Sequence, residues 1–166
     1  MAVSVEPVTG ETWRDVASLR VTESQRAFVA EPAYYLSLCC YGDLWHPLAV
    51  RASITRTDRA RTDRTHTDRA RAESTVVGFL MWAIDPEDRS CWLGGILIDR
   101  DHQRRGYGRA AVEAATRRLR DEQEVTGFAL SYEPDNVVAR GLYRSLGFEE
   151  TGEREDDEIV ARLRLA

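Results

Sequence analysis

The residues with the most chemical content are Gln103-Arg104-Arg105-Gly106-Tyr107-Gly108-Arg109. They follow an apolar run, Ile96-Leu97-Ile98, across a short polar loop, and they open a segment of helical periodicity. The first amides of a helix have no intrahelical acceptor, and the helix dipole favours negative charge beside them. Glycines there let a diphosphate approach the main chain, and Arg104, Arg105 and Arg109 add positive charge. The same glycines also suit a strand-to-helix turn that binds nothing. A Rossmann dinucleotide site fits poorly, because the G-x-G-x-x-G spacing is not met and no convincing acidic ribose partner follows a second strand about 20 residues on.

What is missing narrows the chemistry further. All 23 basic residues are Arg, so a Schiff-base lysine and a Walker-type phosphate loop are excluded. Cys39, Cys40 and Cys91 form no C-x-x-C pair, and no H-E-x-x-H occurs, so no metal is expected. None of the cysteines has an evident His partner, and His46, His66 and His102 fall in expected loops, with His102 reading as a surface residue. Tyr143 sits on the apolar face of a short helical segment, where a packing role would explain it.

These residues must be positioned by one domain of ordinary size. The chain has 166 residues, 43% hydrophobic and 31% charged, with a net charge of −5. The acidic balance argues against a general nucleic-acid partner. The longest near-continuous apolar run, residues 76–84, falls well short of the ~20 residues of a membrane span. With no visible signal peptide and few cysteines, a cytoplasmic protein is expected.

Strands are expected near 3–8, 47–54, 76–84, 91–98 and 125–132, and helices over 13–20, 32–42, 105–120 and 136–146. A hairpin of 148–152 and 159–165 closes the chain around Glu155-Asp156-Asp157-Glu158. The 91–98 strand is apolar throughout, which predicts burial on both faces. Residues 55–73 are rich in Arg, Asp and Thr, repeat T-D-R-A-R, and hold almost no large apolar side chain. They read as a flexible insertion between two strands, or as an arm for an acidic partner. The element order gives a mixed α/β (α+β) sheet.

Two separated blocks resemble the GNAT N-acetyltransferase superfamily. Gln103-Arg104-Arg105-Gly106-Tyr107-Gly108 resembles its Q/R-x-x-G-x-G/A acyl-CoA signature, and Asn136-x-x-Ala139-x-x-x-Tyr143-x-x-x-Gly147-Phe148 resembles its second block. The 24–29 segment, 34–38 and Ile98-Asp99 are similar to the spermine/spermidine (diamine) acetyltransferase branch. The resemblance implies a mostly antiparallel central sheet with one splayed parallel pair and helices on both faces. It implies that Ile96, Leu97 and Ile98 pair with pantetheine, that the 104–109 amides hold the pyrophosphate, and that Asn136 contacts the pantetheine arm. Tyr143 matches the tyrosine that protonates the leaving thiolate. With reference pKa values of ~8.5 for a thiol and ~10 for a phenol, Tyr143 is protonated at neutral pH and can donate.

The reaction so implied is direct transfer from acetyl-CoA, without metal, to a primary amine of a small molecule, a polyamine such as spermidine or spermine being the acceptor suggested. An antibiotic, an amino acid, a peptide or a specialised metabolite are alternative acceptors, and an acyl-CoA-binding module without turnover is a further reading. Family dimers make a homodimer compatible with the resemblance. Many family members carry a Glu on the signature strand, whereas this chain has Gly94-Gly95-Ile96-Leu97 there. That leaves the base unassigned among Glu23, Asp43, Asp85 and Glu133, and the missing side chains would widen the acceptor pocket. Tyr34, Tyr35, Trp45, Trp82 and Trp92 are candidates to line a site for an organic cation.

Overall fold

A computed structural model describes residues 2–54 and 73–165. The insertion expected at about 55–73 lies outside the described residues, except that Glu73 opens a strand. The strands are β1 (Val3–Pro7), β2 (His46–Ile54), β3 (Glu73–Ile84), β4 (Cys91–Ile98), β5 (Gly127–Tyr132), β6 (Glu149–Glu155) and β7 (Glu158–Arg164). The helices are α1 (Trp13–Ser18), α2 (Pro32–Tyr41), α3 (Tyr107–Glu122) and α4 (Val137–Ser145). Short 3-10 turns at Glu23–Gln25 and Arg100–His102 were not anticipated from periodicity, which such brief elements do not express.

The seven strands form one sheet in the order β1-β2-β3-β4-β5-β7-β6. Every pair is antiparallel except β4 with β5. This is the mixed, mostly antiparallel sheet expected, with helices on both faces. On one face Tyr107, Ala111, Val112, Ala115 and Leu119 of α3 pack with Val77, Leu80, Leu93, Phe128 and Leu130. On the other, Val16 and Leu19 pack with Ala49, Val76, Phe79, Met81 and Leu97, beside Tyr35, Leu36 and Leu38 of α2. Both helix starts at the candidate site have local causes. Gly106 adopts φ +82° ahead of α3, a conformation that costs other residues about 1–2 kcal/mol. Asn136 caps α4, its Oδ1 accepting from the Ala139 N–H at 3.1 Å.

Two irregularities shape the centre of the sheet. The parallel ladder of β4 and β5 consists of Cys91 opposite Phe128 and Trp92 opposite Ala129, and from Leu93 onward the two strands part. In addition, β4 carries one extra residue against β3 between Gly94, opposite Met81, and Leu97, opposite Phe79. Gly95 within this bulge has φ +58°. The bulge inverts the alternation of side chains, so Cys91 and Leu93 share the α3 face with Ile96 and Ile98, while Leu97 joins the opposite core.

The 91–98 strand is therefore not buried on both faces. Cys91, Leu93 and Leu97 are buried, but Trp92, Gly94, Gly95, Ile96 and Ile98 are partly open. A strand that splays from its neighbour has a gap beside it, and its apolar residues line that gap. At the far end, all seven residues of β6 are exposed, and β6 forms one edge of the sheet.

Candidate functional site

The gap between β4 and β5 opens into a cleft of about 1320 Å³ that reaches from the start of α3 to the β6–β7 hairpin. Of the residues expected to hold the acyl carrier, Ile96, Leu97, Ile98, Gln103, Arg104, Gly106, Tyr107, Gly108, Arg109 and Asn136 all line it, as does Tyr143. Arg105 is exposed and outside the lining. The loop before α3 is tied at both ends. Gln103 Nε2 donates to the Ile98 carbonyl at 2.9 Å and to Gln25 Oε1 at 2.7 Å. Asp99 accepts from the Arg20 N–H at 2.9 Å and from the Asp101 N–H at 3.0 Å. Arg109 hydrogen-bonds Ser145 Oγ, joining the first turn of α3 to the end of α4.

His102 is not the surface residue expected. Its side chain is 22% exposed, its Nδ1 lies 3.5 Å from Asp99 Oδ1, and it lines the cleft. That Nδ1 is buried and makes no hydrogen bond among the described residues. Proximity of the loop to Asp99 and Tyr107 was not legible from sequence spacing.

Tyr143 is 8% exposed and packs against Tyr132 and Phe148, with ring centroids 5.6 and 6.1 Å away. Burial pushes its phenol well above the ordinary tyrosine range, with the charge of Glu158 adding to the shift. No group among the described residues hydrogen-bonds its hydroxyl. Tyr132 is raised to about 12, first by burial and then by donating to Glu150 Oε1 at 2.9 Å.

The expected acceptor residues divide. Tyr35, Trp45, Trp92, Asp85 and Glu133 line the cleft, whereas Glu23, Tyr34, Asp43 and Trp82 do not. Tyr34 is 57% exposed, one position along α2 from Tyr35, whose ring instead stacks near Phe79 at 6.1 Å. Trp82 lies beside Met81 on β3, and strand alternation turns it to the α3 face, where it meets His46 at 4.4 Å. Glu23 sits on an exposed 3-10 turn and pairs with Arg26 at 3.4 Å.

The glycines of β4 do not leave open space. Trp45 and Met81 close over Gly94, and Tyr35 and Phe79 close over Gly95. The pocket is walled by aromatic rings rather than widened.

Several polar residues of the cleft were missed, among them Ser131 and Glu158. Ser131 hydrogen-bonds Glu158 Oε2. Glu158 reads in sequence as the last of four acids in a turn, and its place at the start of β7 emerges only from pairing with β5. Both signs of charge line the cleft. Arg104 and Arg109 come from the start of α3, and Asp85, Glu133, Asp135, Glu155 and Glu158 come from strand ends and turns elsewhere in the chain.

Residues 30–148, which include the splayed strand pair and the glycine-bearing turn, match the Acetyltransferase (GNAT) family. The chain belongs to that family. Among curated relatives, it is 30% identical over 87 residues to a spermine/spermidine N(1)-acetyltransferase of Bacillus subtilis (strain 168), covering 49% of this chain and 57% of the relative. The match thus spans just over half the length of that protein. The fold is also that of a domain from Methanocaldococcus jannaschii, with TM-score 0.72, 16% identity and 99% of both chains covered. A spermidine N-acetyltransferase from Vibrio cholerae, solved in complex with CoA and spermine, aligns with TM-score 0.66 and 16% identity over 98% of this chain and 94% of that one. Among the described residues no helix is long and apolar enough to cross a membrane.

Proposed function

We propose that this chain transfers the acetyl group of acetyl-CoA to a primary amine of a small cationic molecule, with a polyamine as the favoured acceptor. The observation that carries this reading is the cleft itself, which opens at the β4–β5 parting and is lined by arginines from the start of α3 and by carboxylates from other elements. The similarity to a spermine/spermidine acetyltransferase supports the same acceptor class.

The residues fit the co-substrate. The first amides of α3, at Tyr107, Gly108 and Arg109, lack intrahelical acceptors and accompany Arg104 and Arg109 in the lining, a setting for a diphosphate. A side chain begun at Gly108 would meet Leu142 at 3.6 Å and Ile98 at 3.8 Å, so the glycine keeps the floor of the cleft low. The unpaired edge of β4 from Leu93 onward offers main-chain groups to an amide-bearing arm, and one of its N–H groups would steady charge on the reacting carbonyl oxygen. Acetyl-CoA supplies the activated acyl group. Tyr143 keeps its proton at working pH and gives it to the departing sulfur. Tyr35, Trp45 and Trp92 offer ring faces to an alkylammonium.

The test is thiol release from acetyl-CoA across a panel of amines. Release with spermidine or spermine and not with amino sugars, amino acids or peptides supports the reading. Tight CoA binding with no release across the panel overturns it.

A further inference from the structure

The β4 strand brings no ionisable side chain to the cleft, since Cys91 is buried outside its lining, yet an alkylammonium must lose a proton before it can attack a carbonyl. Of the carboxylates in the lining, Asp85 Oδ1 is engaged by the Glu87 N–H at 2.8 Å, and Asp135 and Glu155 are exposed. Glu158 is partly buried, as are Asp85 and Glu133, but among the lining carboxylates of the described residues it is the one oriented by a side-chain hydrogen bond, from Ser131 on the neighbouring strand. In a chain whose basic residues are all Arg, the nearby acids are claimed: Glu150 by Arg140, and Glu153 and Asp88 by Arg162. No arginine among the described residues pairs with Glu158.

Parity places this carboxylate on the face of the sheet opposite α3, on the strand next to β5, where it lines the cleft. Phe128, Leu130 and Tyr132 of β5 face α3, so Ser131 faces the other side; Ile159 and Ala161 of β7 face α3, so Glu158 likewise faces away. Tyr143 approaches from the α3 face, more than nine-tenths buried, with its hydroxyl unpartnered among the described residues. The negative charge of Glu158 is felt by the phenols of both Tyr143 and Tyr35. Glu133 also lines the cleft, but no hydrogen bond orients its carboxylate among the described residues.

Resting on the acetyltransferase reading above, we propose that Glu158 receives the primary ammonium of the acceptor and takes the proton it loses before attack. The ammonium N–H proton passes to the Glu158 carboxylate. The freed nitrogen lone pair forms the C–N bond at the thioester carbonyl, and the C–S bond breaks with its electron pair on sulfur. The Tyr143 hydroxyl protonates that sulfur, the second N–H proton restores the phenol, and Glu158 releases its proton to solvent. One amide, one thiol and one proton result.

The test compares wild type with Glu158→Gln, Glu158→Asp, Ser131→Ala and the control Glu133→Gln, reading acceptor kcat/KM and, separately, CoA affinity by calorimetry. With an alkylamine acceptor, Glu158→Gln is expected to lose about 100-fold or more in kcat/KM, on the scale of a lost proton-transfer group. Its CoA affinity and its KM for acetyl-CoA should stay within about twofold. Glu158→Asp and Ser131→Ala should fall between, and they carry the test if the Gln variant does not fold. An acceptor that is neutral at the assay pH should lose far less, because it needs neither cation capture nor prior deprotonation. An active wild type with Glu158→Gln unchanged, or with Glu133→Gln the more damaged, overturns this assignment alone. A wild type that binds CoA but acetylates nothing takes down the enzyme reading and this assignment together.

Discussion

The indole of Trp45 closes over Gly94, so that a methyl group placed on that α-carbon would come within 3.2 Å of the ring Cη2 and of Met81 Cε. Glycine on β4 thus makes room for an aromatic wall and not for the acceptor. Trp45→Ala should admit bulkier amines, shifting the ratio of kcat/KM between a branched and a linear acceptor by about tenfold, the scale of a methylene or two in an apolar pocket. Gly94→Val, which pushes the ring into the cleft, should move the ratio the other way. Unchanged ratios in steady-state assays would show that Trp45 is remote from the acceptor.

Tyr143→Phe keeps the packing with Tyr132 and Phe148 and removes the hydroxyl. The expected result is a fall in kcat of about 10²-fold or more with CoA affinity unmoved. Equal loss of both would mark Tyr143 as a packing residue.

Burial raises the Tyr143 pKa, so the phenol stays neutral in the folded protein at pH values where it would ionise in the unfolded chain. Its contribution to stability is whole below about pH 10, the unfolded value, and is lost as pH rises toward the folded one. Denaturant titrations from pH 8 to 11 should show stability declining above about pH 10, and Tyr143→Phe should flatten that decline. A variant with the same alkaline slope as wild type would contradict the assignment of this buried phenol.

Gly108→Glu places a carboxylate among the first amides of α3, where helix stability tolerates negative charge. The neighbouring side chains leave ordinary contact distances for a Cβ. We expect thermal stability near that of wild type and CoA affinity reduced by about 100-fold or more, as like charge meets a diphosphate. Retained affinity in calorimetry would place the diphosphate elsewhere.

The thiols offer a check that does not depend on activity. Burial pushes Cys91 up to about 12 and Cys39 up to about 11, while Cys40 is exposed. At pH 8 an aromatic disulfide reagent should react quickly with Cys40, slowly with Cys39, and with Cys91 only after unfolding. Rapid labelling of Cys91 in the native protein would contradict its buried position in β4.

The turn at 103–109 and the cap at Asn136 were legible in the sequence because glycine, arginine and a capping side chain act over a few residues. The acceptor side was not, since it depends on which way strand residues face. Trp82 and Trp92 are alike in composition, yet only Trp92 lines the cleft, because β3 turns Trp82 to the other face. The bulge at Gly95 reverses the facing of every later residue of β4, and no local pattern announces such an insertion. Glu158 was concealed for a related reason. An acid at the end of an acidic turn has the composition of a solvated loop until β7 is registered against β5.

The last strand of the sheet, with no covering layer, carries Glu149 and Glu155 beside Glu150 and Glu153, the latter two paired with Arg140 and Arg162. A stray polypeptide aligning with its free main-chain groups would have to lie among those carboxylates, and a second copy docking edge to edge would bring its own set against them. The exposed rim therefore discourages runaway polymerisation by mutual repulsion, leaving the chain's hydrogen-bonding edge open without making it adhesive.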